Sequence, residues 1–309
     1  MRRGCGTEAV RPRTPPRPCH VHRSRSTATL ACVAGQAIGE TLAYVNWTVL
    51  GALAVGSFGA VVLLSLRTDA TRGFLGFTAF CSAALAGLTF LVDAALPDPG
   101  STLAIVAAPA LELPRRAALA ALAVLALTYV VALARNRHAP VVGIAGVVAG
   151  IAALAVAAYG WGGGLTRGIP LAVQLIVLAA ALGGVLAAMI LGHWYLVTPR
   201  LSERPLVLLV RVQTWVVGAQ LALFVAWMST GAGASHPPFE PLVGAWALFV
   251  WLRLLIGLVF PVVVTWRALQ TARGRSMVST TRLLYVDVGA IAVGTILAAG
   301  LYFEAGLLL

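Results

Sequence analysis

The sequence contains no lysine and has few charged residues of any kind. All 22 basic residues are arginine, and only ten of the 309 residues are acidic. A retinal-type Schiff base and the phosphate-binding lysine of a P-loop are therefore both excluded. The net charge of +12 does not predict a nucleic-acid partner, because nearly all arginines lie in the N-terminal tail and in short connections between apolar runs. Arginine in such connections is typical of loops that face anionic lipid headgroups.

Motifs for several common chemistries are also missing. The four cysteines form no C-x-x-C pair, and the sequence has no H-E-x-x-H, G-x-S-x-G or paired-aspartate motif. These absences argue against a disulfide framework and a metal site. Of the five histidines, only His138 and His193 are predicted at one side of the membrane and next to spans. Because His138 lies in an exposed stretch, bis-histidine haem is disfavoured, while haem with one histidine ligand stays open.

Long apolar runs dominate what is present. Hydrophobic residues make up 60% of the chain, charged residues 10%, and the mean hydropathy is +0.92. Ordinary soluble domains are about 45–50% apolar and about 25% charged. Runs of about 20 apolar residues recur along the chain, and each is long enough to cross a bilayer as a helix. The sequence therefore predicts an all-α, polytopic integral membrane protein, a bundle of about eight transmembrane helices, whose partner is the lipid bilayer.

Proline, glycine and arginine clusters mark the ends of the apolar runs. The predicted spans are 43–66, 74–96, 117–134, 140–159, 170–192, 205–229, 241–266 and 283–303. The apolar segment 101–113 is too short to cross, and Pro109 and Pro114 break it. We expect this segment to lie along the membrane face or to fold over the bundle.

Residues 1–41 differ from the transmembrane domain, 42–309. Seven arginines and four prolines within the tail cannot form an apolar core, so we expect disorder there. Two alternatives stay open. The tail is a signal peptide with a poor hydrophobic region, or the start is mis-assigned and translation begins near Leu42 or Val45.

The distribution of arginine predicts the orientation of the helices. The odd-numbered connections carry ten arginines and the even-numbered ones carry three. The odd connections are therefore predicted to be cytoplasmic, which places both ends of the helical domain outside in a cell membrane. The Arg-rich tail favours the opposite orientation, and a later start would remove that conflict.

Arg253 is the most unusual residue within a predicted span. It lies midway along the seventh span, about 12 residues or about 18 Å of helix from either end. A charge at that depth costs about 2.5–3.5 kcal/mol or more, so it should face the bundle interior and have a partner. Gln213 and Gln220 on the sixth span are candidates, either as packing partners of Arg253 or as parts of a shared anion, substrate or cofactor site. Pro261 is predicted to bend the helix beyond Arg253.

A second polar cluster is predicted at the cytoplasmic leaflet. Its members are His193, Arg211, Tyr285 and Asp287, from the ends of three spans. An imidazole, a guanidinium and a carboxylate together could bind a quinone and move its protons. The alternative is structural: Arg211 pairs with Asp287, and the aromatic residues near His193 belong to the interfacial belt.

These features leave three function classes open. The first is a quinone- or haem-handling membrane subunit of a respiratory electron-transfer system, with other subunits as partners. The second is a transporter of a small solute, with Arg253, Gln213 and Gln220 lining a site at the membrane midplane. The third is an assembly or scaffold protein without a site of its own. The sequence resolves neither the ligand nor the oligomeric state.

Overall fold

The structure, a computed structural model, is a bundle of α-helices. It describes residues 22–99, 103–198, 202–231 and 237–309, with side chains from residue 38 onward. The helices are α1 (His22–Arg67), α2 (Arg72–Ala94), α3 (Pro109–Ala134), α4 (Pro140–Gly162), α5 (Leu165–Val197), α6 (Arg204–Thr230), α7 (Ala247–Leu254), α8 (Phe260–Arg273) and α9 (Met277–Ala305). A π-helical turn, Leu255–Val259, joins α7 to α8 without a break.

Within the described residues, eight segments are long and apolar enough to cross a membrane, which confirms the predicted all-α polytopic bundle. They are Ile38–Arg67 within α1, then α2, α3, α4, α5 and α6, the joined α7–α8 helix (Ala247–Arg273), and α9. Most of these segments are longer than the predicted spans. The reason is that hydrophobicity marks the part of a helix in lipid, whereas the helix itself continues into the polar residues at the interface.

The seventh span is displaced from its predicted position of 241–266 to Ala247–Arg273. Residues Glu240–Leu242 form a short 3₁₀ turn, and the α-helix begins only after Gly244 and Trp246. At its other end the helix continues beyond Arg267. Apolar composition alone places this span too early, because the residues before Ala247 are apolar but not helical.

Helix α1 begins at His22, so residues 22–41 are helical where we expected disorder. Alanine, leucine, glutamine and glutamate in this stretch favour helix, and extending an existing helix costs far less than starting a new one. Residues 1–21 lie outside the described residues. The signal peptide and the later start therefore stay predictions.

The ends of the bundle differ in arginine content. Because successive spans cross in opposite directions, the odd-numbered connections share one end and the even-numbered ones share the other. We call them the Arg-rich end and the Arg-poor end. At the Arg-poor end, the backbone of residues 103–106 folds over the bundle, and the N–H groups of Ala104 and Val106 donate to the carbonyls of Phe303 and Trp161 at 2.9 and 3.1 Å. Pro109 and Pro114 were predicted to break the segment 101–113. In the structure Pro109 is the first residue of α3, and Pro114 lies inside that helix.

Helix α5 is central and packs against α1, α4, α6 and α9. Its closest approach is to α1, where Gly56 faces Gly183. A Cβ on Gly56 would overlap the carbonyl of Ala179, and a Cβ on Gly183 would overlap the backbone of Ser57. Such small residues permit close helix packing in lipid, where no hydrophobic force drives helices together. Helices α6 to α9 pack against one another and carry the candidate site.

Candidate functional site: buried polar groups on α6, α7–α8 and α9

Arg253 is almost fully buried, with 2% of its surface exposed. Its Nη1 donates to the carbonyl of Gly257 at 3.2 Å, and its Nε has no hydrogen-bond partner. That carbonyl is available because Pro261, four residues later, has no N–H to donate to it. The π-helical turn covers this same stretch, and such turns occur frequently at functional sites. The arginine thus occupies a local irregularity of its own helix and has no ion-pair partner among the described residues.

The guanidinium lies beside the closest contact between the α7–α8 helix and α9. A Cβ on Gly294 would be 2.6 Å from the Cα of Gly257 and 2.7 Å from Nη1 of Arg253. Gly257 is ten residues from Ala247 and ten from Arg267, near the middle of the apolar part of its span. The backbone of Arg253 is only six residues from the helix start, contrary to the predicted central position, but its guanidinium reaches the middle of the span.

Asp287 is fully buried on α9, and neither carboxylate oxygen has a hydrogen-bond partner. It is seven residues from Gly294, about 10 Å along the helix and on the same face. The neighbouring hydroxyl groups of Thr271 and Thr280, 2.9 Å apart, define the same antiparallel alignment of α8 and α9 as the Gly257–Gly294 contact. This alignment places Asp287 level with Val264, on the side of Arg253 nearer the Arg-rich end.

Gln220 on α6 is 5% exposed, and neither its Nε2 nor its Oε1 has a partner. One turn further along α6, Phe224 belongs to a small apolar cluster that also contains Met228, Val250, Leu258 and Leu301. The cluster joins α6, the α7–α8 helix and α9 on the Arg-poor side of the polar groups. We call Gln220, Arg253 and Asp287 the unpaired trio.

The alternative in which both glutamines pair with Arg253 is not found in the structure. Gln213 is 1% exposed, but its Nε2 donates to the carbonyl of Ala181 on α5 at 2.8 Å. The amide of Gln220 makes no hydrogen bond, and Arg253 bonds its own helix. Depth along a helix is predictable from the sequence, but the direction that each helix face takes depends on its rotation in the bundle. That rotation turns Gln213 towards α5.

The structure divides the predicted cluster of His193, Arg211, Tyr285 and Asp287. The hydroxyl of Tyr285 lies 3.4 Å from Nδ1 of His193, and both side chains are exposed on the surface of the bundle. Arg211 is exposed as well, whereas Asp287 is buried. Two residues differ by about 200° around a helix, so Tyr285 and Asp287 point in opposite directions. The alternative ion pair between Arg211 and Asp287 is also absent, because Asp287 has no partner.

An ion-pair cluster that was not predicted from the sequence lies at the Arg-poor end. The carboxylate of Asp93 is fully buried and accepts from Nε1 of Trp47 at 2.8 Å, Nε of Arg115 at 2.5 Å and Nε of Arg116 at 3.1 Å. The guanidinium of Arg115 also lies 5.3 Å from the ring centroid of Trp161. A lone aspartate inside an otherwise apolar span was the available signal. The two arginines follow a predicted loop, so their pattern indicates only loop charges.

Among the described residues, no group of three or more His, Cys, Asp or Glu side chains is placed to hold a metal ion. Comparison of the chain with protein-family models, curated proteins and solved structures gave no match.

Proposed function

We propose that this chain is a membrane transporter that moves a small anionic solute together with a proton. The observation that carries the proposal is the unpaired trio: Gln220, Arg253 and Asp287 are buried and keep five side-chain atoms among them without a partner. They lie on α6, on the α7–α8 helix packed against α6, and on α9 packed against that helix.

Unpaired polar groups inside a membrane are costly, and groups that serve only packing normally have partners. This chain shows the difference within one molecule. At Asp93, three side chains donate to one buried carboxylate. At Asp287, no side chain donates to an equally buried carboxylate. The unpaired trio is therefore better explained by a solute and a proton than by helix packing.

Arg253 and Asp287, the two charged residues of the unpaired trio, suit the anion and the proton respectively. The guanidinium of Arg253 offers N–H donors and a positive charge, which match a carboxylate, a phosphate or a small inorganic anion. The carboxyl group of Asp287 can accept and release a proton, as acidic residues do in the proton relays of pumps and transporters. The free amide of Gln220 adds one donor and one acceptor. Together they supply charge compensation for an anion and a proton.

The helix that carries Arg253 also suits a conformational change. Transporters often bind their substrates at interruptions of membrane helices, near the middle of the bilayer. Here the π-helical turn Leu255–Val259 and Pro261 interrupt the regular hydrogen bonding next to the guanidinium. The apolar cluster around Phe224 closes the Arg-poor side of the trio. Opening there would require the α7 segment to move relative to α6 and α9.

The test uses the full chain reconstituted in liposomes that contain a pH-sensitive dye. Inward gradients of chloride, nitrate, phosphate and succinate are applied at acidic and neutral pH, and proton uptake is recorded from the dye, because a proton that moves with a monovalent anion carries no net charge. We expect proton uptake driven by at least one anion, faster at acidic pH, and at least a tenfold loss in Arg253→Gln. The matched control is Arg211→Gln, which removes an exposed arginine from α6 and should keep the uptake.

Asp287→Asn separates the proton from the anion. This variant should retain anion binding, measured as thermal stabilisation by the active anion, but lose the anion-driven uptake of protons. Folded protein that takes up no protons with any of these anions would reject the proposal, as would unchanged uptake in Arg253→Gln.

A second candidate, the quinone-handling membrane subunit, rests on the contact between His193 and Tyr285. An imidazole and a phenol 3.4 Å apart are exposed at the edge of the bundle, where a lipid-soluble quinone would approach them. Either group could donate to or accept from a quinone oxygen. Arg211 and Asp287 are not required for this reduced site. A haem with His193 as its axial ligand is the other cofactor that the same residue could hold.

This candidate is tested by labelling with a photoactivatable ubiquinone analogue. Labelling near the ends of α5 and α9 that is lost in His193→Ala and reduced in Tyr285→Phe would support it. His138→Ala, in the connection between α3 and α4, is the control and should label normally. A Soret absorbance band in the purified protein that disappears in His193→Ala would indicate haem instead. If neither quinone labelling nor a Soret band is observed, the contact between His193 and Tyr285 is only a packing feature of the membrane interface.

A further inference from the structure

An apolar groove of about 210 Å³ lies between α1, α4, α5 and α6, apart from the unpaired trio. Its floor is formed by small residues at the crossing of α1 and α5, including Gly56, Ala60 and Ala179. Gly59 also lines it, and a Cβ added there would meet nothing within 4 Å. The groove exists because small residues leave space where larger side chains would fill it.

The groove opens towards the lipid. Its rim residues Val147 and Ile151 on α4 and Val212 and Val216 on α6 are partly or largely exposed on the surface of the bundle. A recess with apolar walls holds water poorly, and an empty one loses dispersion contacts. In the membrane it should therefore contain a hydrocarbon chain.

One polar group interrupts the apolar wall. Gln213 lines the groove and is 1% exposed. Its Nε2 donates to the carbonyl of Ala181, which fixes the direction of the amide because only the nitrogen can donate. Its Oε1 lies over Gly184, where a Cβ would be 2.7 Å away, and no described residue donates to it. Gln213 therefore presents a free hydrogen-bond acceptor within the groove.

A free acceptor in an apolar recess selects a ligand with a donor. Ester-linked acyl chains and hydrocarbons have none, so they would leave Oε1 unpaired. A hydroxyl group could donate to Oε1 and would itself be costly to bury without that bond. Gln213 is nine residues into α6, about 13 Å along the helix from Arg204, so the donor must be carried by a molecule that dissolves in the membrane.

We propose that this groove binds a long-chain alcohol of the membrane, whose hydroxyl donates to Oε1 of Gln213 and whose hydrocarbon tail leaves through the open side of the groove. The proposal does not depend on transport through the unpaired trio, because the groove is formed by a different set of helix faces.

The test compares two photoactivatable probes in reconstituted full-length protein: a long-chain alcohol with a diazirine in its chain, and the methyl ether of the same molecule. The ether has the same chain but no O–H donor. Cross-linked peptides are identified by mass spectrometry. The alcohol should label the walls of the groove on α1 and α6 about threefold more strongly than the ether, as expected for one net hydrogen bond in a membrane.

Three variants separate shape from hydrogen bonding. Gln213→Leu should lower labelling by the alcohol to the level of the ether. Gly59→Leu, which fills the groove, should abolish labelling by both probes. Gly87→Leu on α2 is the control, since a Cβ there also meets nothing within 4 Å and the residue lies outside the groove.

The outcomes distinguish the possible occupants. Equal labelling of the groove by alcohol and ether would overturn the proposal and leave an unselective acyl-chain groove. Labelling unchanged in Gly59→Leu would show that the probes bind elsewhere and would also overturn it. If Gln213→Leu fails to fold, Gly59→Leu and the comparison of the two probes on the natural sequence still decide the matter.

Discussion

Gly257 and Gly294 face each other so closely that a Cβ on either residue would lie 2.6 Å from the Cα of the other. This contact joins the π-helical turn to α9 and leaves the guanidinium of Arg253 beside it. The irregular helix and its buried charge therefore depend on two residues without side chains.

Gly294→Ala should destabilise the protein by about 1–3 kcal/mol, because its methyl group would overlap both the opposite backbone and Nη1 of Arg253. The measurement is thermal unfolding in detergent, followed by intrinsic tryptophan fluorescence. Gly289→Ala on the same helix is the matched control, since a Cβ there meets nothing within 4 Å. Equal unfolding temperatures for the two variants would contradict the close contact.

Replacing Arg253 by methionine should leave stability unchanged or raise it, by up to about 2 kcal/mol. The physical reason is that the guanidinium is buried with a single hydrogen bond to its own helix, so its removal leaves no charged partner behind. Anion-driven proton uptake should be lost at the same time. Thermal unfolding of Arg253→Met checks the predicted stability. A strong loss of stability would mean that the arginine serves packing and not function.

The sequence was sufficient for the helical class and for the eight apolar spans found among the described residues. It could not supply helix rotation. Gln213 and Gln220 are seven residues apart on one face, yet Gln213 bonds α5 and Gln220 bonds nothing, because neighbouring helices differ along that face. Tyr285 and Asp287 are close in sequence but point in opposite directions. The predicted His193 cluster is divided because Tyr285 and Asp287 lie on opposite faces of α9.

Partnerships between residues of different spans were also beyond the sequence. Asp93 and Arg115 come from α2 and α3, and Trp47 comes from α1. The apolar pattern of each span reveals that it crosses the membrane but not which residues meet at its ends. The π-helical turn next to Arg253 was only partly foreseen, since Pro261 predicted a bend but not its position before the proline.

Asp93→Asn should destabilise the protein by about 3–5 kcal/mol, in contrast to the replacement of Arg253. This change removes the negative charge that pairs with Arg115, whose side chain is only 6% exposed. Arg116→Gln should cost less, because that side chain is 33% exposed and also reaches Glu112. The control is Asp69→Asn, which alters an exposed aspartate at the opposite end of the bundle. Thermal unfolding of the three variants tests this predicted order of destabilisation.

The orientation inferred from arginine counts predicts opposite labelling of the two ends of the bundle. In a variant without its native cysteines, Asn136→Cys lies in the third connection at the Arg-rich end, and Leu165→Cys lies at the start of α5 at the Arg-poor end. Both residues are exposed. A membrane-impermeant maleimide should label Leu165→Cys in intact cells and Asn136→Cys only after permeabilisation, because cytoplasmic connections are enriched in arginine. The reverse pattern would place the Arg-rich end outside. The route of proton and anion through the unpaired trio would then run in the opposite sense, with Asp287 nearer the outer surface.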